Sequence, residues 1–182
     1  MTDTLFQRLL GAEFAHLAPQ VRALHSRPGR FRWRGICSIQ RGTHPLARLA
    51  CMFARLPPSM QDVPVSVEFT SSGDEELWQR DFNGVPMRSR LRFDGGQLHE
   101  RLGPMTFRFH VHRDGEALHW TTIGARLFGL LPLPSTWFTQ VRCRESEADG
   151  RYRFLVDARL PWVGPLIRYQ GWLEPDDVHG NT

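Results

Sequence analysis

Apolar side chains at the start of the chain (Leu5, Phe6, Leu9, Leu10, Phe14 and Leu17) recur at the spacing of one face of a helix. Pro19 suits the first turn of a second short helix carrying Val21 and Leu24, which Ser26-Arg27-Pro28-Gly29 ends. From Arg30 the period changes to two. Phe31, Trp33, Cys37 and Ile39 fall on one face, and Arg30, Arg32, Arg34, Ser38 and Gln40 mostly on the other, which describes a half-buried strand. A third helix is expected from about Pro45 to Leu56. It would carry Leu46, Leu49, Phe53 and Leu56 on one stripe and stop at Pro57-Pro58.

Beyond it the chain reads as strands and turns. Val63, Val65, Val67 and Phe69 alternate with polar neighbours. The dipeptides Asn83-Gly84, Asp114-Gly115 and Asp149-Gly150 mark three hairpins, and Asp94-Gly95-Gly96 marks a fourth turn. The last strand holds Ile167, Tyr169, Gly171 and Leu173.

These elements predict an α+β protein with roughly nine or ten antiparallel strands, too many to remain an open flat sheet. Such a sheet should curl into a barrel or half-barrel around its apolar face, capped by the N-terminal helices; a β-sandwich is the alternative. One domain over 1–182 is expected, with a helical N-terminus over 1–25, mostly strands over 30–174 and a polar tail over 175–182. The alternation predicts an inward set of Trp33, Cys37, Val65, Val67, Trp78, Phe82, Leu91, Phe107, Phe109, Trp120, Phe154, Val156 and Tyr169.

Composition narrows the function classes. No stretch approaches the roughly 18 apolar residues of a membrane span. The N-terminus lacks the basic start and apolar core of a signal peptide, so a cytoplasmic protein is expected. All 23 basic residues are arginine, yet the net charge is only +4 and acidic residues are interspersed among them. A nucleic-acid partner is therefore not expected. Cys37, Cys51 and Cys143 form no C-x-x-C pair and read as small apolar fillers. No cofactor is signalled, and both the nucleophile elbow and the Walker loop are absent.

Hairpin registers place side chains opposite one another. With Asn83-Gly84 as a two-residue turn, Trp78 faces Ser89, Arg80 faces Met87 and Phe82 faces Val85. Glu100 shares a face with Leu98 and Leu102. With Asp149-Gly150 as the turn, Glu145 faces Phe154 and Glu147 faces Tyr152, close enough to the turn to be exposed. Arg80, Glu100 and Glu145 thus interrupt apolar faces, where a charge must be paired or wetted. They form either an internal ion network or the wall of a pocket. The candidate ligand-binding set is Trp78, Arg80, Ser89, Glu100, Glu145 and Tyr169.

The Asp114-Gly115 turn would set His110 opposite His119, with His112 on the same face. Three histidines are a weak candidate metal cluster; without a fourth ligand they read as an exposed polar face, and no zinc is expected. Residues Leu127 to Leu133, with Trp137 and Phe138, read as a core lid or as a greasy lip at a pocket mouth.

Four stretches carry a family resemblance: Leu5-Phe6-Gln7-Arg8-Leu9-Leu10-Gly11, Val21-Arg22-Ala23-Leu24-His25, Trp78-x-Arg80-x-Phe82-x-Gly84 and Arg168-Tyr169-Gln170-Gly171-Trp172-Leu173. Together they resemble a bacterial family designated domain of unknown function 4166, over nearly the full chain. Members of that family also occur fused to short-chain or saccharopine-dehydrogenase-like oxidoreductases, so the resemblance implies an oxidoreductase partner and no catalytic residues. The sequence itself has no glycine-rich dinucleotide loop. The expected function is non-catalytic binding of a small apolar or lipid-like molecule inside the curled sheet. Two alternatives stand beside it. One is an enzyme using Glu100 or Glu145 as general acid or base, with Arg80 holding an anionic group; the other is a protein-interaction module with an Arg-rich face.

Overall fold

The computed structural model describes residues 3–176. Helix α1 (Leu5–Leu10) is opened by Thr4 and Gln7, whose side chains each accept a hydrogen bond from the other's backbone N–H. Gly11, at φ +54°, ends the helix, so the apolar repeat continues as a 3-10 turn over Gly11–His16 rather than as one helix to Leu17. Helix α2 (Pro19–His25) follows, then strand β1 (Gly29–Arg41) and helix α3 (Pro45–Phe53). The strands after it are β2 (Met60–Ser72), β3 (Glu75–Phe82), β4 (Val85–Asp94), β5 (Gln97–Leu102), β6 (Met105–Asp114), β7 (Ala117–Leu127), β8 (Leu131–Leu133), β9 (Gln140–Ala148), β10 (Arg151–Leu160) and β11 (Gly164–Pro175).

The strands pair in the order β6-β5-β4-β3-β2-β1-β11-β10-β9-β7, and β6 pairs with β7 to close the ring. The result is a closed antiparallel barrel of ten strands, with β8 as an extra strand on β7. Turn chemistry sets the twist: Asn83-Gly84, Gly95-Gly96 and Asp149-Gly150 have positive φ at both central residues, the type that matches a right-handed sheet. Curvature needs small residues where β1 meets β11. A Cβ on Gly35 would lie 1.8 Å from the Trp172 carbonyl oxygen, and one on Gly171 would lie 2.2 Å from that of Ile36.

One end of the barrel is closed by α1 and α2. Arg8 pairs with Asp74 in the β2–β3 turn, and the Ala18 N–H donates to the Glu116 carbonyl in the β6–β7 turn. Leu5, Phe6, Val21 and Leu24 fill that end and join the core. The other end carries α3 and the segment between β7 and β9.

Most of the expected inward set is buried; Phe107, Phe154, Val156 and Tyr169 keep partial exposure because they line internal cavities. Three expectations need correction. The β6–β7 turn is Gly115-Glu116, so His112, not His110, faces His119, and His110 faces Thr121. Only Gly115 has positive φ there, the signature of a turn with glycine first. The slip is two residues, so faces are preserved. The predicted stripe of α3 points outward: Leu46, Leu49 and Phe53 are exposed, while Ala47 and Cys51 pack inward. Close approach to β11 demands small residues, and the Cys51 thiol reaches the Leu166 carbonyl at 3.4 Å. Finally, Pro175 belongs to β11 and pairs with Trp33; the expected tail from 177 to 182 lies outside the described residues.

Candidate ligand site inside the barrel

Period-two alternation on β3, β4, β5 and β9 delivers Arg80, Ser89, Glu100 and Glu145 to the interior, all buried. Arg80 Nη1 donates to Ser89 Oγ at 2.8 Å, and its Nη2 lies 3.7 Å from Glu100 Oε1. The guanidinium also sits 4.7 Å from the centre of the Trp78 ring, a cation–π arrangement. Glu145 does not join this pair. It accepts a 2.6 Å hydrogen bond from Nε2 of His25, whose side chain is completely buried at the C-terminus of α2. His25 in turn stacks on Phe6, with ring centres 3.7 Å apart. Its Nδ1 has no hydrogen-bond partner among the described residues. The three expected charges therefore resolve into two pairs, Arg80–Glu100 and His25–Glu145.

Sequence reasoning missed His25, although Val21 and His25 are four residues apart on one helix face. It also missed Glu76, which shares strand parity with Trp78 and Arg80 and faces Leu91. Glu76 accepts from Trp78 Nε1 at 2.8 Å and Ser71 Oγ at 3.4 Å. Glu147, expected to be simply exposed, accepts the Gln20 N–H at 2.7 Å and so anchors the first turn of α2.

Burial pushes the Glu76 carboxyl above its ordinary value of 4.5, against the opposing influence of His25, Trp78 and Ser71. The folded chain thus holds this proton to higher pH than the unfolded chain does. The associated stability is full below the ordinary value and declines as pH rises towards the folded one. Glu76→Gln keeps an acceptor for Trp78. It is expected to raise the melting temperature by a few degrees at about pH 8, with the gain vanishing near pH 4. Melts across that range check this.

Two adjoining chambers occupy the interior. The inner one, of about 60 Å³, is lined by Arg80, Glu100, Glu145, Tyr152 and Tyr169 among aromatic and aliphatic side chains. The outer one, of about 250 Å³, is almost wholly apolar and reaches α3 and Trp137. Glu100, Cys143, Val156 and Tyr169 line both. Burial, reinforced by the Glu100 and Glu145 carboxylates, pushes the Cys143 thiol well up. Burial, reinforced by the Glu145 carboxylate, likewise raises the Tyr152 hydroxyl, and burial raises the Tyr169 hydroxyl. At neutral pH these three groups remain protonated donors rather than nucleophiles.

The histidines lie elsewhere, on the outer barrel face. Ring centres of His110 and His112 are 5.3 Å apart, and those of His112 and His119 are 5.6 Å apart. Burial, and then the neighbouring His112 and Arg144, lower the His119 value. Among the described residues no group of three or more histidine, cysteine or acidic side chains is arranged to hold a metal ion. No described helix is long and apolar enough to cross a membrane.

A family model described as "Domain of unknown function (DUF4166)" matches residues 17–173. Comparison with curated proteins gives no match. Among solved structures, the crystal structure of Rv2717c from M. tuberculosis is similar at 14% identity and a TM-score of 0.43, covering 87% of this chain and 98% of that one.

Proposed function

For a chain that belongs to the DUF4166 family, whose description assigns no activity, we propose a function from the geometry: the barrel binds a small, largely apolar molecule with a neutral hydrogen-bonding head. The observation that carries this reading is the junction of the two chambers. An apolar body entering past α3 would occupy the outer chamber, and its head would meet Glu100, Cys143 and Tyr169 at the threshold of the inner one, where Arg80 and Glu145 also lie. Together the chambers come near the lower end of the roughly 300–1,000 Å³ typical of small-ligand pockets. That size suits a medium-length acyl chain or a compact ring system. A neutral head is favoured because Arg80 and His25 each face a carboxylate, Glu100 and Glu145 respectively.

The ligand-binding set is then Trp78, Arg80, Ser89, Glu100, Glu145 and Tyr169, with Arg80 and Ser89 holding Glu100 as an acceptor rather than clamping an anion. The protonated thiol and tyrosines favour a carrier over a nucleophilic enzyme. An oxidoreductase acting on the carried molecule is the partner that the family resemblance implies.

The test is displacement of a fluorescent fatty-acid analogue from the purified protein, alongside mass spectrometry of solvent extracts. Val156 lines both chambers, so Val156→Phe should block their junction. It is expected to fold and to weaken probe binding by roughly tenfold or more. Equal binding by wild type and Val156→Phe, or no binding by either, would refute the proposal.

A further inference from the structure

We infer that the α3 end of the barrel is a docking face for an anionic lipid bilayer. The inference goes beyond ligand binding and stands without it.

Three segments at that end leave large apolar side chains in solvent. On α3 these are Leu49, Met52 and Phe53; after β7 they are Phe128, Leu130 and Trp137. In the β10–β11 turn Trp162 is 96% exposed. Isolated exposed apolar residues are ordinary, but a cluster around one end of a barrel is not. Phe53 and Phe128 touch edge to face at 6.2 Å, which joins the first two segments into one surface. That surface is continuous with the outer chamber, because Phe53 and Trp137 also line it.

Charge selects the occupant. Arg48, Arg55, Arg101, Arg126 and Arg159 are exposed at this end. Residues 41–61, 101–113, 117–144 and 158–173 contain no aspartate or glutamate. Of the nearby acids, Asp62 accepts from Ser38 and Asp81 accepts the Gly84 N–H. A surface that is apolar and tryptophan-bearing at its centre, with a rim in which arginines outnumber acids, complements an anionic bilayer. Aromatic and aliphatic side chains enter the interface while arginines meet lipid phosphates. The other end differs, since α1 and α2 cover it and its cations Arg8 and Arg113 pair with Asp74 and Glu13.

The experiment is flotation of the whole protein with phosphatidylcholine vesicles, with and without phosphatidylglycerol, read together with tryptophan emission. Wild type is expected to float with the anionic vesicles only, to shift its emission to the blue, and to release roughly tenfold or more in high salt. Leu49→Ser combined with Leu130→Ser should fold normally, because both side chains are exposed, and lose most of the binding. Arg48→Gln combined with Arg126→Gln should weaken it by roughly tenfold or more. Arg30→Gln at the closed end, and the chamber-blocking Val156→Phe, should leave it unchanged, which separates this claim from the ligand proposal. Failure to float, or flotation indifferent to the Leu49 and Leu130 changes, would overturn the inference. Self-association in solution abolished by those changes, without vesicle binding, would assign the face to a second copy and overturn it as well.

Discussion

Arg80→Met is expected to lower the melting temperature by an amount on the order of 10 °C, and adding Glu100→Gln should restore most of the loss. Arg80 is buried with its guanidinium facing Glu100 at 3.7 Å and Ser89 at 2.8 Å. Methionine matches the stem and removes the charge. What remains is the Glu100 carboxylate against Leu91 and Phe107, its neighbours on the adjacent strands. Leaving one half of a buried pair costs about 3–5 kcal/mol, a large part of the stability of a chain this size. For 150–250 residues each kcal/mol moves the midpoint by roughly 2–4 °C. The double variant removes both charges, so the desolvation penalty disappears with the attraction that offset it. Paired melts of wild type, both single variants and the double variant measure the coupling. If Arg80→Met melts with wild type, water in the inner chamber already solvates Glu100, and the pair is not a structural lock.

Strand parity explains how much of this site is legible in the sequence. Asn83-Gly84 and Asp149-Gly150 permit only one tight register, so the sides taken by Arg80, Ser89 and Glu145 followed from counting. Parity even survived the misplaced β6–β7 turn: a two-residue slip changed the partner of His119 but kept the histidines outside. Barrel closure was legible only in outline, as too many strands for a flat sheet. The β6–β7 seam and the glycines of β1 and β11 depend on contacts far apart in sequence. Pairing was not legible at all. Glu145 is inward by parity, but its partner arrives from α2, 120 residues earlier, and nothing local sets where that helix docks. The stripe of α3 failed for a related reason. Helical periodicity locates an apolar face but does not say that it meets the core, and here the small residues Ala47 and Cys51 face inward.

His25→Leu should open the closed end of the barrel while leaving the strands paired. The fully buried imidazole ties α2 to the β9 carboxylate, and Thr4 Oγ1 donates to the His25 carbonyl at 2.7 Å, so α1 and α2 converge on this one residue. Leucine fills similar space against Phe6 but removes the hydrogen bond that His25 donates to the buried Glu145 carboxylate. By the same buried-pair reasoning the loss is about 3–5 kcal/mol. It should be spent locally, because α1 and α2 are held by few strand contacts and form the natural unit of partial opening. Trypsin is the direct probe, since Arg8 and Arg22 lie in the two helices. Cleavage there is expected to accelerate by roughly tenfold or more in His25→Leu at temperatures well below its melt. Arg80→Met, which weakens the barrel as a whole, should keep those sites protected until it unfolds. The same opening would connect the inner chamber to solvent through Glu145, so His25→Leu should also release the fatty-acid probe faster than wild type does. If cleavage at Arg8 and Arg22 stays at the wild-type rate, the cap is held by Phe6 and its apolar neighbours, and the His25–Glu145 bond is dispensable for closure.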